Sequence, residues 1–332
     1  MAWCRRAWIN FVDTPAANPE SILRVLQFNI LADSLADGSD ALEPHLVPPV
    51  AHLCAAGGAG CHYHEHRDTP THKFRTCQGV LDWEYREPKI MEIILQENPD
   101  IICLQEVDRF YDMEKKFEAA GYKGTFCKKA WKKIKDGCAV FWKEKTLNLT
   151  KVHTVQLLRD NAMTAVLLRF MSSVGKPVVV CSTHLKAGFS QQMEDQRFRQ
   201  AIVLEKHLSD FAAGAATILA ADLNAHHSPY STCTPRMCCD PGVKVEPAVI
   251  SFLCDAGFRP AYVNFPSFTA WSGWIDRDVK ASLDHILYRG PLQPRASLEV
   301  PEEHVVCQWP ELLPNRLWPS DHLHLLADLE LV

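Results

Sequence analysis

The chain has 332 residues, of which 47% are hydrophobic and 23% are charged, and its formal net charge is −5. These proportions are typical of a folded globular protein, whereas the negative net charge excludes a general attraction to polyanions. A phosphate-rich substrate would therefore have to meet a local basic patch or a metal ion. No apolar run approaches the roughly 18 residues that a membrane-spanning helix needs, and no secretory signal is predicted.

Thirteen cysteines, an odd number, favour a reduced intracellular protein over a disulfide scaffold. Cys103, Cys138 and Cys181 stand in apolar runs, where a thiol behaves as a small hydrophobic side chain. We therefore expect a cytoplasmic protein, although the basic and aromatic segment "CRRAW" keeps a mitochondrial location open. No pattern in the sequence indicates an oligomer.

The predicted elements begin after a loose leader, residues 1–20, with the strand "SILRVLQFNIL". Residues 36–80 are rich in Gly, Pro and His, show no periodicity, and are predicted to form a flexible insert. The insert could bind zinc, but it lacks the spacing of a standard zinc finger. The candidate zinc ligands are Cys61, His62, His64, His66, His72 and Cys77.

Helices and strands alternate after the insert. The segment "REPKIMEIILQEN" places Ile90, Ile93 and Ile94 on one helical face, with Pro88 in the first turn. The strand "IICLQEVD", the helix "DMEKKFEAAGY" and the strands "GCAVFW", "TAVLLRF", "PVVVCSTH" and "ATILAADLN" follow, with an amphipathic helix between the last two. The strands "SLDHILY" and "LHLLADLEL" come last. Because several strands follow one another closely, we predict an α/β fold with mixed sheets in one domain, residues 21–332.

Polar side chains stand at the ends of the predicted strands. Four strands end in Asn29, Glu106, His184, and Asp222 with Asn224. The last two strands begin at Asp284 and just after Asp321 and His322. Taken one at a time, the Asn and Asp residues have an ordinary interpretation as turn residues and His184 as a half-buried histidine, whereas Glu106, in apolar surroundings, needs a partner or a metal. Because catalytic groups gather where rigid strands meet loops, the whole set predicts a functional site.

The residue types in this set indicate the hydrolysis of a phosphate ester. Asn29 and Glu106 offer a few hard oxygen ligands, which suit Mg²⁺ better than zinc. His322 could relay a proton near neutral pH if Asp284 held its other ring nitrogen. The other members could orient an attacking water or hold phosphoryl oxygens: Asp222 and Asn224 for the water, His184 and Lys186 for the oxygens.

Seven segments occur in the order found in the endonuclease/exonuclease/phosphatase superfamily: "QFNIL", "LQEVD", "DGCAVF", "THLKA", "ADLNA", "LDHILY" and "PSDHL". The resemblance covers residues 22–332, nearly all of the chain outside the leader and the insert. Within the superfamily, "LDWEYR", "GYKGTF" and "PNRLWPSDHL" most resemble the nocturnin group, which is close to deadenylases of the carbon-catabolite-repression type and to the angel proteins. The resemblance implies a DNase-I-like fold, a four-layer sandwich of two packed mixed β-sheets flanked by helices.

The resemblance also implies a role for each matching residue. Glu106 would bind Mg²⁺, for which Mn²⁺ could substitute, with Asn29 beside it and Asp321 facing the metal. His322, paired with Asp284, would relay a proton or stabilise the transition state. The remaining matched residues would position the water and the phosphate: Asp222, Asn224, His184 and Lys186.

The sequence departs from the family pattern at two places, and these departures affect the expected identity of the substrate more than the expected reaction. The usual "GDFN" is "ADLN" here, which keeps Asp222 and Asn224 in place. After "THLKA" the family has an arginine where this chain has Gly188. The phosphate contact of that arginine is then either lost or moved to Arg197 or Arg199.

Eight lysines between positions 115 and 135 form a candidate substrate rim, with Trp131 among them. The cluster is either a solvated face or a surface that steers an anion, where Trp131 could stack on a base. Lys129 matches a lysine of the nocturnin group. The resemblance allows two substrates: NADP(H), which would lose its 2′-phosphate, and poly(A) RNA, which would lose nucleotides from its 3′ end. The sequence favours NADP(H).

Two other classes of function stay open. The domain could be a catalytically inactive module that binds a nucleotide or RNA, but every chemical position of the family is filled. It could also be a lipid phosphodiesterase of the same superfamily. The match in "PNRL" and the lack of a predicted membrane segment disfavour that alternative.

Overall fold

The computed structural model describes residues 6–12, 16, 18–36, 74, 76, 78–231, 244–273, 278–307 and 312–332. Most of the expected insert at 36–80, and with it the zinc hypothesis, therefore lies outside the described residues. Within the described ranges, no helix combines the length and the apolar composition that crossing a membrane requires.

Seventeen strands run through the described residues. In chain order they are β1 (Trp8–Asn10), β2 (Ile22–Asn29), β3 (Ile101–Val107), β4 (Tyr122–Lys128), β5 (Gly137–Lys143), β6 (Leu147–Gln156), β7 (Thr164–Ser172), β8 (Pro177–Thr183), β9 (Ala216–Asp222), β10 (Tyr230–Ser231), β11 (Lys244–Val245), β12 (Arg259–Pro260), β13 (Ala270–Gly273), β14 (Asp278–Ala281), β15 (Asp284–Arg289), β16 (Leu292–Leu298) and β17 (Leu325–Leu331).

Seven α-helices are described between these strands. They are α1 (Asp33–Ala36), α2 (Gln78–Leu81), α3 (Trp83–Glu97), α4 (Phe110–Ala119), α5 (Gln191–Ala212), α6 (Val249–Asp255) and α7 (Glu303–Val306). A short 3₁₀ turn, Pro19–Ser21, precedes β2.

Two large sheets contain most of the strands. The first has seven strands in the order β1-β16-β17-β2-β3-β5-β4, and the second has six in the order β12-β15-β9-β8-β7-β6. Each sheet holds one parallel pair, β2 with β3 and β8 with β9, and its other pairs are antiparallel. Two small ribbons, β10 with β11 and β13 with β14, lie outside these sheets.

The two large sheets share an apolar core. Inward-facing side chains of both sheets meet there, among them Val25, Cys103, Val140, Val166, Val180 and Ile218. The outer face of the first sheet packs against α3 and α4, and that of the second against α5 and α6. Because apolar side chains on both faces of each sheet are buried, the layers run helix, sheet, sheet, helix. The predicted four-layer α/β sandwich is confirmed.

Several elements differ from the sequence prediction, among them β1, α3 and β6. Part of the expected loose leader forms β1, which pairs with β16 so that Ile9 lies opposite Ser297. Helix α3 begins at Trp83, so Pro88 lies inside the helix and not in its first turn. Strand β6 was not predicted, because most of its side chains are exposed or half-buried and its apolar pattern is therefore weak.

Candidate active site

The first sheet brings four of the predicted residues to one edge. Strands β2 and β3 are parallel, so Asn29 and Glu106, near the carboxyl ends of these strands, lie at the same edge of the sheet. Strand β17 is antiparallel to β2. Asp321 and His322, which precede β17, therefore lie where β2 ends. Because β17 runs opposite to β2 and β3, the residues before its start lie beside the residues at the ends of β2 and β3.

The second sheet brings its polar residues to the facing edge. His184 follows β8 and forms a parallel bridge with Asp222, the last residue of β9. Asp284, the first residue of β15, is the register partner of Asp222 in the antiparallel pair. Asn224 lies two residues beyond β9, and its Nδ2 donates to the carbonyl of Leu185 at 3.1 Å. The set predicted from strand ends is therefore assembled in space.

A buried histidine–aspartate pair lies between the two sheets. A hydrogen bond of 2.8 Å joins His322 Nδ1 to Asp284 Oδ2. Thr269 Oγ1 donates to the same oxygen at 2.6 Å, and Gln27 Nε2 donates to Oδ1 at 2.6 Å. Because both oxygens of the carboxylate have partners, its plane is fixed, and the orientation of the imidazole is fixed with it.

Two carboxylates keep His322 in its charged form. Burial alone would lower the pKa of this imidazole, but Asp284 and Asp222 raise it well above the usual 6.5. The Nε2 atom lies 3.9 Å from Asp222 Oδ2. An imidazolium whose Nδ1 is held by Asp284 can present its Nε2–H group to an anionic oxygen.

The carboxylate of Asp222 lies at the centre of the site and is approached by several of its other residues. Asn29 Nδ2 donates to its Oδ2 at 2.9 Å, and His184 Nε2 lies 3.4 Å from the same oxygen. The backbone N–H of Asn224 donates to its Oδ1 at 2.9 Å. Burial raises the pKa of Asp222, and burial lowers the pKa of His184. A carboxylate with a raised pKa is suited to accept a proton from an attacking water.

Glu106 has a strained backbone at the same edge. Its φ of 56° lies in the left-handed region, at the point where the pairing of β3 with β5 is interrupted. Such strain persists where the surroundings hold it, often at functional sites. Its Oε1 accepts from Asn29 Nδ2 at 3.2 Å, and its Oε2 accepts from the backbone N–H of Ala32 at 3.2 Å. The irregularity in β3 therefore coincides with a carboxylate held beside Asn29.

The residues of this site fit a divalent metal ion. Asp222, Asp284 and His322 offer ligand atoms that all lie within 4.8 Å of one another. However, a metal bound to both His322 and Asp284 would replace the hydrogen bond between them. Glu106 and Asn29 offer carboxylate and amide oxygens, the donors that hard divalent cations prefer, without disturbing that pair.

The turn before β17 is tied to the end of β2. Ser320 Oγ donates to the carbonyl of Asn29 at 2.7 Å and accepts from the backbone N–H of His322 at 3.2 Å. Asp321 is buried, and its Oδ2 accepts from Ser272 Oγ at 2.6 Å. The two segments that carry Asn29 and His322 are therefore directly connected.

Lys129 supplies a fixed positive charge near the site. Its Nζ lies 2.6 Å from Asp136 Oδ2, and the two side chains are 10% and 3% exposed. Burial alone would lower the pKa of Lys129, but the charges of Asp136 and Glu106 raise it. Lys186, the other predicted lysine, is half-buried in the loop after β8, where its backbone N–H donates to Gln200 Oε1 at 2.9 Å.

Arg197 is not placed to contact a substrate, contrary to the sequence prediction. It is fully buried, and its Nε donates to Glu194 Oε2 at 2.9 Å. Its Nη1 donates to the carbonyls of Lys186 and Gly188 at 2.9 and 2.7 Å. The arginine therefore supports the loop that carries Lys186. Arg199 is exposed on α5.

The lysine cluster is partly paired within the protein. Lys116 pairs with Glu87, Lys123 pairs with Glu118, and Lys128 Nζ donates to the carbonyl of Lys132 at 3.2 Å. Trp131 is 52% exposed. Exposed lysines remain around this tryptophan at positions 132, 133 and 135.

Sequence reasoning missed the residues that hold the site in place. Gln27 carried a signal, since it is a polar residue inside an otherwise apolar strand. Asp136 stands in the quoted segment "DGCAVF" and could have been paired with Lys129. Thr269 and Ser320 had no distinguishing pattern, because single hydroxyl residues are common in loops.

A two-sheet α/β sandwich that joins a buried Asp–His pair to further carboxylates at one sheet edge defines a class: the metal-dependent phosphoric ester hydrolases of DNase-I-like fold. A family profile described as "Endonuclease/Exonuclease/phosphatase family" matches residues 77–322. The chain belongs to this family.

Known proteins similar in sequence include members of two groups. Nocturnin of Rattus norvegicus is 28% identical over 343 residues, which cover 96% of this chain and 68% of that protein. Nocturnin of Homo sapiens is 27% identical, with 95% of this chain and 66% of that protein covered. Carbon catabolite repressor protein 4 homolog 3 of Arabidopsis thaliana is 26% identical over 185 residues, 54% of this chain and 34% of that protein. The chain thus spans about two thirds of the length of these nocturnins.

Solved structures confirm the fold. The human Nocturnin catalytic domain with bound sulfate has a TM-score of 0.65 at 24% identity, and 98% of each chain is covered. ANGEL2, described as a 2′,3′-cyclic phosphatase in complex with adenosine-2′,3′-vanadate, has a TM-score of 0.69 at 19% identity, and 99% of each chain is covered.

Proposed function

We propose that the protein is a Mg²⁺-dependent phosphohydrolase that removes the 2′-phosphate of NADP(H). The observation that carries this proposal is the buried His322–Asp284 pair facing the carboxylate of Asp222. The sequence similarity to nocturnins supports it, as does the fold neighbour ANGEL2, whose ligand carries vanadate at the ribose 2′ and 3′ positions.

Glu106 and Asn29 would hold the metal. When bound there, Mg²⁺ would supply positive charge that favours an anionic phosphate and a nucleophilic water. Mn²⁺ could take its place, because both ions accept oxygen ligands.

The protein side chains would then divide the remaining work. Asp222 would accept a proton from the attacking water as the water oxygen bonds to phosphorus. The bond from phosphorus to the ribose 2′-oxygen would break, and that oxygen would leave as a hydroxyl with a proton taken from solvent. His322, held by Asp284, would donate its Nε2–H hydrogen bond to a phosphoryl oxygen and stabilise the charge that grows there. His184 and Lys186 would orient the other phosphoryl oxygens. Each of these tasks is electrostatic or a proton transfer, which suits preorganised side chains at a buried edge.

A second candidate substrate is poly(A) RNA, degraded from its 3′ end. The observation that favours it is the exposed Trp131 with exposed lysines at positions 132, 133 and 135. Such a surface can track several phosphates while an aromatic ring stacks on a base. The same catalytic residues would serve this reaction, because both reactions are attack of water on phosphorus.

One experiment separates the possibilities. The protein is incubated with NADPH or with 5′-labelled oligo(A), each with Mg²⁺ or with EDTA, and the variant H322A controls for contaminating phosphatases. Mg²⁺-dependent phosphate release from NADPH with intact RNA supports the proposal. A ladder of shortened RNA without phosphate release replaces it with the exonuclease. Binding without turnover of either substrate replaces it with an inactive binding module.

A further inference from the structure

Arg86 of α3 is completely buried behind the site. Its Nε donates to the carbonyl of Leu81 at 2.8 Å. Its Nη1 donates to the carbonyls of Ile30 and Leu31 at 3.0 and 2.8 Å and reaches that of Pro319 at 3.4 Å. The guanidinium is thus held by backbone carbonyls that come from three separate parts of the chain.

Two of these parts carry the residues of the active site. Ile30 and Leu31 directly follow Asn29, and Pro319 stands two positions before Asp321. Leu31 has a φ of 56°, which a leucine rarely adopts, and its N–H donates to Asn29 Oδ1 at 3.0 Å. The hydrogen bond from Arg86 to the Leu31 carbonyl therefore stabilises a strained turn that orients the Asn29 side chain.

A buried cation of this kind is costly unless it has a role or strong partners. Burial lowers the pKa of Arg86 to about 10, against the opposing charges of four carboxylates, so the guanidinium is still charged at neutral pH. Those carboxylates are Asp33, Asp108, Asp321 and Glu106. The positive charge consequently lies near the proposed metal ligand as well as behind the two turns.

We propose that Arg86 is a positioning residue that sets the placement of Asn29 relative to Asp321 and His322. It acts through the carbonyls of the two turns and contacts neither the substrate nor the metal. The inference rests on the proposed function only in taking Glu106 and Asn29 as metal ligands. It does not depend on whether NADP(H) or RNA is the substrate.

Substitution of Arg86 separates positioning from charge by the sign of its effect on metal affinity. If Arg86 acted by charge alone, Arg86→Met would remove a repulsion and Mn²⁺ would bind more tightly. If it positions Asn29 and Asp321, the same substitution weakens binding, by about 10-fold or more, as loss of groups that orient metal ligands commonly does. Arg86→Lys keeps the charge but loses the fork of donors, so it is expected to weaken binding as well.

The experiment measures Mn²⁺ affinity by titration calorimetry on wild type, R86M, R86K and the control R169M, with urea unfolding of each. Arg169 also donates to backbone carbonyls, those of Phe211 and Ala212 at 3.1 and 2.7 Å, but on the far side of the second sheet. We expect R169M to lose stability and keep its Mn²⁺ affinity.

Weaker Mn²⁺ binding in folded R86M and R86K supports the proposal, and a kcat lowered by about 100-fold on whichever substrate the wild type hydrolyses agrees with it. Unchanged or tighter binding in R86M overturns it. If R86M does not fold, R86K decides in the same way. Wild-type protein that hydrolyses neither substrate refutes the proposed function, while the Mn²⁺ comparison still decides the role of Arg86.

Discussion

Three side chains converge on a single oxygen, Oδ2 of Asp222. Asn29 donates to it, and the Nε2 atoms of His184 and His322 lie 3.4 and 3.9 Å away. Because the two histidines differ in environment, they differ in charge: the carboxylates around His322 raise its pKa, whereas burial lowers the pKa of His184. One imidazole is therefore a cation and the other a neutral donor or acceptor at neutral pH.

Removal of the cationic imidazole is predicted to affect turnover more than substrate binding. His322→Ala should lower kcat by about 1,000-fold, the upper end of the usual scale for the loss of a hydrogen-bond donor that stabilises the transition state. Asp284→Asn should lower it as well, since the asparagine no longer holds the imidazole in its charged form. Steady-state kinetics at several pH values measure both effects. A fall of less than tenfold in H322A would show that this histidine is only structural.

Glu106→Ala is predicted to abolish Mg²⁺-dependent hydrolysis without unfolding the protein. The carboxylate accepts hydrogen bonds from Asn29 and Ala32 at 3.2 Å but lies outside the apolar core, so the loss should be of metal binding. Phosphate release is followed across a Mg²⁺ titration, and thermal unfolding is measured alongside. Glu118→Gln, at a half-exposed glutamate paired with Lys123, serves as the control. Full activity in E106A would refute the assignment of the metal ligand.

The positions of the site residues could be predicted because each follows or precedes a strongly apolar strand. Their partners could not, because hydrogen bonds such as that of Thr269 to Asp284 depend on loops from distant parts of the chain. Arg197 shows the limit most clearly. The sequence prediction gave it a phosphate contact because of its charge, yet it lies on the buried face of α5, four residues before Ala201, and points inward to Glu194, three residues earlier. That spacing was the available signal.

At the scale of elements, the strands that could be predicted from the sequence are those whose two faces are both buried. Strands β5, β8 and β9 are buried along almost their whole length and appear as continuous apolar runs. Strands β4 and β16 have several half-exposed positions and were not predicted. Pro88 was assigned to a helix start by its preference for the first turn, but packing of the preceding Trp83 extends the helix further back.

Strands β4 and β5 approach too closely for a side chain at Gly137. A Cβ there would lie 2.2 Å from the carbonyl oxygen of Cys127 and 2.7 Å from the Cα of Lys128. Gly137→Ala should therefore push the two strands apart and lower the free energy of unfolding by about 3 kcal/mol. Urea denaturation measures the change. In the control Gly79→Ala, the new methyl group meets only Asp82 Oδ2 at 3.9 Å, and equal stability of both variants would contradict the prediction.

At the scale of the whole molecule, the predicted four-layer sandwich accounts for both large sheets. The polar residues of the candidate active site lie where the edges of these two sheets face each other. Besides the residues of the candidate active site, this arrangement buries a histidine that is kept neutral. His285 is 3% exposed, and its Nε2 hydrogen-bonds to the carbonyl of Ala225 at 2.8 Å. Burial lowers its pKa to about 4.

This buried histidine makes stability depend on pH. Its pKa is about 6.5 in the unfolded chain, so between pH 6.5 and 4 the unfolded chain binds the extra proton and stability falls as the pH falls. At pH 5.0 the loss from His285 should reach about 2 kcal/mol. His285→Gln keeps a donor but does not titrate, so its urea midpoint should fall less between pH 7.5 and 5.0. An equal fall in wild type and H285Q, with the exposed His304→Gln as control, would contradict this account.

The place of β17 between β16 and β2 has a consequence for how the protein is made. Leu325 pairs with Gln27, so the middle of the first sheet joins segments about 300 positions apart in the chain. Contacts of such high sequence separation form slowly, and during synthesis they cannot form until β17 has left the ribosome. Until then β2 and β16 expose unpaired edges that invite aggregation. A nascent chain should therefore depend on chaperones until β17 has emerged, and one stopped before β17 should be both inactive and insoluble.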